Sequence, residues 1–299
     1  MRRYQPVVSL YALALIASFA VHPDLGLSSA QEVSKPTLNV TYDIVYSKPE
    51  EDLELKLDAY IPDGEGPFPA VLVVHGGAWR TGSKIQLASH ARKFAERGMA
   101  AFAINYRLAP KHKFPAQIHD CKAAIRWMRR HADEYHVDSR RIGAYGYSAG
   151  GHLVALLGVT RASDGLEGDT NGDRIDTQIQ CVCAGGAPCD FQEIAGDSMR
   201  LAFWLGGTRN ELPSLYRSAS PIAFVRSDNP PMFFFHGSQD ELVKIRDVER
   251  MVEALKEDGI RSELFVVDGA SHIAAALNQQ AINRAAEFFM EHLKKVGER

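Results

Sequence analysis

Two segments early in the chain alternate apolar and polar residues: NVTYDIVYS from Asn39 and LELKLDAYIP from Leu53. A period of two marks a strand with one solvated face, so the pair is expected as antiparallel edge strands. From Ala70 the pattern changes to AVLVVHGG, a continuous apolar run of the kind covered on both faces. The same character returns in MAAFAINY from Met99, RIGAYGYS from Arg141, IQCVCAGG from Ile179, PMFFFHGS from Pro231 and SELFVVDG from Ser262. Helical patterns fill the intervals. KIQLASHARKFAERG closes on Gly98, placed as a C-terminal cap, and PAQIHDCKAAIRWMRRHADEY opens on Pro115, which suits a first turn. AGGHLVALLGV, IRDVERMVEALKEDG and QQAINRAAEFFMEHLKKV complete the set. Strands alternating with helices predict an α/β fold, a mostly parallel sheet with helices on both faces, as one domain over residues 31–299. Ligands bind such sheets outside the carboxyl ends of the strands, so reactive groups are expected just after strands.

The first thirty residues stand outside this rhythm. Arg2 and Arg3 precede the apolar run Val7 to Val21, and Ser28-Ser29-Ala30 supplies small residues before Gln31. A basic start, an apolar stretch shorter than the roughly 20 residues of a spanning helix, and small residues at a cleavage point predict a signal peptide over 1–30. The mature protein is then expected to be secreted or periplasmic, with no stable membrane insertion. The leader has no cysteine to anchor a lipid. Export opens the question of Cys121, Cys181, Cys183 and Cys189, which could be buried thiols or paired; three full pairings exist. No histidine pairing accompanies them, so no metal site is expected. A 45% apolar and 24% charged composition is that of a folded globular chain. A net charge of −3 gives no basic surface for nucleic acid.

The chemistry centres on Gly146-Tyr147-Ser148-Ala149-Gly150. Ser148 falls between a strand pattern and a helix pattern, flanked by glycines that leave room for a sharp turn. A serine hydroxyl needs a base to become a nucleophile. Of the eleven histidines, His272 lies in a loop after the last strand pattern and is the candidate base. His236 is expected to pack in its turn, and His152, one helical turn beyond Ser148, to point away from it. Asp240 follows the strand pattern from Pro231 and is the candidate acid, with Glu241 and Asp190 as rivals. Gly76 and Gly77 in HGGAW, with Ala149, are the expected oxyanion donors, since glycines let backbone N–H groups approach a substrate. His75 is expected to brace that loop. Trp79, Tyr147, Phe203 and Trp204 are candidates for contacting the acyl group, Phe203 and Trp204 being equally readable as core. Arg107 and Asp120 are expected to form a structural ion pair. Asp169, Asn171 and Asp173 imitate the start of a calcium loop, but Arg174 stands where that loop needs glycine and Gln180 where it needs glutamate. That stretch is expected as a solvated loop.

HGGAW, NYRLAPKHKFPAQIHDCKAAIRWMR, GYSAGGH, HGSQDELV and GASH together resemble the α/β-hydrolase esterases of the hormone-sensitive-lipase type, in particular the bacterial feruloyl and acetyl-xylan esterase branch. The resemblance covers residues 40–295. It implies Ser148, Asp240 and His272 as triad, Gly76, Gly77 and Ala149 as oxyanion hole, no cofactor, and short acyl esters as substrates, either small molecules or polysaccharides. The chain departs from the lipase-type pattern in having few residues for an N-terminal helical cap, which suits an open site and a bulky ester. Residues 200–220 fall where such folds insert lid elements. Two other readings remain: an arylformamidase-like or peptidase-like serine hydrolase, and a hydrolase fold used only for binding.

Overall fold

The computed structural model describes residues 37–170 and 172–294; the expected leader over 1–30 and Asn171 lie outside them. In chain order the elements are β1 (Leu38–Glu50), β2 (Leu53–Pro62), β3 (Phe68–Val74), α1 (Ala88–Ala95), β4 (Ala100–Ile104), α2 (Ala116–Arg130), β5 (Val137–Tyr147) and α3 (Ala149–Val159). There follow β6 (Cys181–Gly185), α4 (Ala202–Leu205), α5 (Pro213–Ser218), β7 (Met232–Gly237), α6 (Ile245–Glu257), β8 (Ser262–Val267), α7 (His272–Ala276) and α8 (Gln279–His292). The strands form one sheet in the order β1-β2-β4-β3-β5-β6-β7-β8. β3 to β8 run parallel, and β1 and β2 are antiparallel to their neighbours. This is the α/β-hydrolase fold.

Apolar residues cover both faces of the sheet. On one face Ile118 and Ile125 of α2, Leu153 of α3 and Val248 of α6 pack against Leu72, Ala144 and Phe234. On the other, Phe94 of α1 and Phe289 of α8 pack against Val73, Tyr145 and Phe235. α3 is buried along its whole length, consistent with its nearly continuous apolar sequence.

The two expected edge strands are one edge strand and one covered one. β2 lies second in the sheet, and every residue from Leu57 to Pro62 is buried. Its alternation misleads at Asp58, a carboxylate that is nonetheless buried because the Lys84 ammonium sits 2.7 Å away. A buried charge is tolerated when a partner of opposite sign is in contact.

Candidate active site

Register in the parallel sheet brings the strand ends to one level. Val74 pairs with Gly146, Tyr147 with Gly185, Gly185 with Phe235, and Gly237 with Val267. The residues that follow each pair therefore emerge at one edge of the sheet. Ser148 is the first, in a turn with φ 58° and ψ −122°, outside the regions ordinary residues adopt. Its N–H donates to the Gly185 carbonyl at 2.8 Å, and its own carbonyl starts α3 by accepting from His152 at 2.9 Å. The turn is possible because no side chain stands at Gly150, where a Cβ would fall 2.0 Å from the Val74 carbonyl oxygen. A Gly150→Ala chain is expected to lose about 3 kcal/mol or more of stability, since both sides of that contact are backbone and neither can move aside. A urea midpoint within experimental scatter of wild type would contradict this packing.

The Ser148 hydroxyl lies 2.9 Å from Nε2 of His272, and Nδ1 of the same ring lies 2.6 Å from Oδ2 of Asp240. The carboxylate's other oxygen accepts from the N–H groups of Leu242 at 3.0 Å and Val243 at 2.9 Å. Tyr147, a candidate for acyl contact, is turned the other way: its hydroxyl donates to the His272 backbone carbonyl and its ring packs on His272 and Phe235. Burial raises the Tyr147 pKa, so it stays a phenol and a donor. The rivals to Asp240 are placed elsewhere. Asp190 is ion-paired to Arg250 at 2.9 Å, and Glu241 stands exposed on the rim of the cleft. His236 does more than pack, for its Nε2 lies 3.2 Å from Asp240 Oδ2.

The loop after β3 approaches Ser148 closely enough that a Cβ on Gly76 would stand 3.3 Å from that of Ser148. Its carbonyls are turned into the protein. The Gly76 carbonyl accepts from His75 Nδ1 at 2.7 Å and from the Tyr106 hydroxyl at 3.2 Å, and the Gly77 carbonyl accepts from Arg80 and Thr81 N–H groups. C=O and N–H of a trans peptide point in opposite directions, so the Gly77 and Ala78 N–H groups face away from those donors. Ala78, with φ 52°, lines the cleft beside Trp79, Ser148 and Ala149. The sequence points to the two glycines and not to Ala78, whose left-handed backbone shows only in the structure. His75 stacks on Tyr106 at 4.2 Å and braces the loop. Desolvation lowers its pKa to about 4. His152 points away from Ser148, bonds the Ala219 carbonyl at 2.7 Å, accepts from Trp79 Nε1 at 3.2 Å, and is likewise held by burial at about 4.

A cleft of about 740 Å³ opens over Ser148 and His272. One part of its lining is apolar, with Trp79, Phe191, Leu201 and Phe203; another is charged, with Asp190, Glu193, Arg246, Asp247 and Arg250. Of the aromatic candidates, Trp79 and Phe203 face the cleft, whereas Tyr147 and Trp204 do not line it. Trp204 is fully buried, stacked on Trp79 with ring centroids 3.9 Å apart, and donates its indole N–H to Gln117 at 3.0 Å. Residues 200–220 carry α4 and α5, and contribute Arg200, Leu201 and Phe203 to the lining.

Away from the cleft, Arg107 and Asp120 form the expected ion pair at 2.7 Å. Asp173 is paired with Arg130 and accepts from the Ile175 N–H, and among the described residues no cluster of ligands suited to a metal is found. All four cysteines are buried free thiols.

The model of the BD-FAE family matches residues 57–255. Esterase LipC of Mycobacterium tuberculosis is 34% identical over 215 residues, which cover 69% of this chain and 53% of LipC. The chain spans about half the length of the curated relatives it matches. Among solved structures, a truncated carbohydrate esterase from gut microbiota superposes with a TM-score of 0.79 at 25% identity, over 87% of this chain and 98% of that one. A thermophilic esterase from the Planctomycetes species Thermogutta terrifontis gives 0.71 at 30% identity, over 89% and 96%. The Thermogutta enzyme has also been solved phosphorylated by paraoxon.

Proposed function

This chain belongs to the BD-FAE family, with its α/β-hydrolase fold, and from that premise we propose that it hydrolyses carboxylic esters through Ser148, His272 and Asp240. The observation that carries the reading is the unbroken chain of contacts from Ser148 Oγ through both ring nitrogens of His272 to Asp240, at the mouth of a cleft. His272 Nε2 accepts the hydroxyl proton as Ser148 attacks the ester carbonyl. Asp240 holds the tautomer that leaves Nε2 free and stabilises the imidazolium that forms. The oxyanion meets backbone N–H groups from the Gly76–Ala78 loop and from Ala149, the first residue of α3, where the helix dipole also favours negative charge. His272 returns the proton to the departing alcohol. Water then attacks the acyl-enzyme with His272 again as base.

The substrates are short acyl esters, with acetyl or feruloyl groups on plant polysaccharides as the leading class. A cleft of this volume far exceeds what an acetyl group needs, and a lining that holds both charged and aromatic side chains suits a polyhydroxylated alcohol together with an acyl group. Likeness to a carbohydrate esterase supports the same class. Removal of residues 1–30 as a leader would place the enzyme where such polymers are met.

Two measurements test this. An organophosphate such as paraoxon is expected to add one covalent phosphoryl group to wild type and none to Ser148→Ala; unlabelled, folded wild type would remove the nucleophile from the account. Acetate release from acetylated xylan, with Ser148→Ala as blank and p-nitrophenyl acetate as control, tests the substrate. Cleavage of the nitrophenyl ester alone would leave the mechanism and discard the polysaccharide.

A further inference from the structure

His236 is the penultimate residue of β7, four residues before Asp240, and is completely buried. Its Nε2 lies 2.8 Å from the Val243 carbonyl oxygen and 3.2 Å from Asp240 Oδ2. Both neighbours are acceptors, so Nε2 must carry the proton. Nδ1 is left bare in the interior, with no hydrogen-bond partner. A neutral ring satisfies this arrangement, and burial disfavours the imidazolium, lowering its pKa.

Val243 is also the residue whose own N–H holds Asp240 Oδ1 at 2.9 Å. The His236 ring thus grips the turn that orients the carboxylate. It also sets the positive end of an N–H dipole against the oxygen that bonds His272. Together the ring and the two backbone N–H groups leave the carboxylate one orientation.

We propose that His236 is a positioning residue for Asp240: it fixes the 240–243 turn and tempers the charge on Oδ2, and so sets the basicity and aim of His272. The inference rests on the triad reading above. Charged or titratable groups facing His236 are Asp240 from the loop after β7, His272 from the start of α7 and Glu249 from α6.

His236→Phe keeps the ring but loses the donor. It is expected to lower kcat about tenfold with little change in KM, the equivalent of about 1.4 kcal/mol. Without the second donor, Oδ2 pairs more strongly with the imidazolium of His272, so the acid limb of kcat/KM against pH moves to higher pH. His236→Gln, whose amide reaches the Nε2 position, recovers most of the rate and returns the limb. In an Asp240→Asn background His236→Phe adds no further loss, because it acts through the carboxylate. An unmoved acid limb, or a loss that adds in full to that of Asp240→Asn, would overturn the proposal. A second readout does not depend on any variant being active. In wild type carrying ¹⁵N-labelled histidine, His236 is expected as the neutral Nε2–H tautomer at neutral pH, and a Nδ1–H tautomer would overturn it. A Ser148→Ala chain that kept its activity would remove the triad reading itself. Loss in Ser148→Ala beside an unaffected His236→Phe would remove only this inference.

Discussion

Replacing Ser148 with alanine is expected to lower kcat on a p-nitrophenyl ester by about 10⁴- to 10⁶-fold. The hydroxyl lies 2.9 Å from His272 Nε2, and the Ser148 side chain caps no helix N–H. The loss should therefore appear in kcat while the thermal midpoint and KM stay close to wild type. The surviving rate measures what the loop donors and the cleft contribute alone, since preorganised oxyanion donors continue to act without the nucleophile. The same reasoning ranks the partners. Asp240→Asn is milder than His272→Ala, because Leu242 and Val243 N–H groups still hold the side chain while the wrong His272 tautomer is favoured. A Ser148→Ala residual within tenfold of wild type would assign the activity to another residue.

Acidification should destabilise the fold through two histidines that take no part in the chemistry. His75 and His152 are buried and held at about 4, against an ordinary 6.5. Between those values the unfolded chain binds protons that the folded chain refuses. Stability therefore rises with pH across the window and falls as pH drops from about 6.5 to about 4, below which the two histidines add nothing further. Each contributes on the order of 3 kcal/mol, so the pair approaches the 5–15 kcal/mol typical of whole domains. His119, also lowered to about 4, acts in the same direction. Urea midpoints measured from neutral pH to about pH 4 should fall steadily. A His75→Asn chain, which keeps a donor for the Gly76 carbonyl but cannot titrate, should show a shallower decline. Midpoints that do not change across the window would mean that these rings are solvated.

The strand and helix pattern was readable along the chain because it depends on periodicity, and burial on both faces leaves continuous apolar runs such as Ala70–Val74. Asp240 and His272 could be selected because an α/β sheet offers few places for chemistry, all just beyond strand ends. What failed depends on direction rather than position. Tyr147 is an aromatic residue beside the nucleophile, yet it turns to the His272 backbone, and Trp204, which the sequence left open between cleft and core, turns to Trp79 and Gln117. Nothing in residue type distinguishes those orientations. Asp58 in β2 read as solvated because its neutralising partner, Lys84, lies twenty-six residues away in sequence. The contact of His236 with Asp240 was hidden similarly: a histidine in a strand end reads as packing until its second ring nitrogen is located.

The Trp79–Trp204 stack ties one part of the cleft wall, Trp79, to the buried core behind it. Trp79 belongs to the loop that presents Ala78, and it touches His152 of α3, Phe191 after β6 and Trp204 of α4. A substitution anywhere in that cluster would displace the oxyanion loop together with the substrate wall, so selectivity gained there would be lost again as rate. Elsewhere in the lining, the side chains of Glu241, Leu242 and Lys244 are exposed. Leu242 is 65% exposed, and only its backbone N–H holds Asp240. Its side chain is free to vary without a catalytic penalty, as are those of Glu241 and Lys244, which also stand exposed on the lining. Diversification toward new alcohols or acyl groups, by natural descent or by directed libraries, should accumulate at residues 241, 242 and 244 and spare both Val243, whose backbone holds Asp240, and the tryptophans.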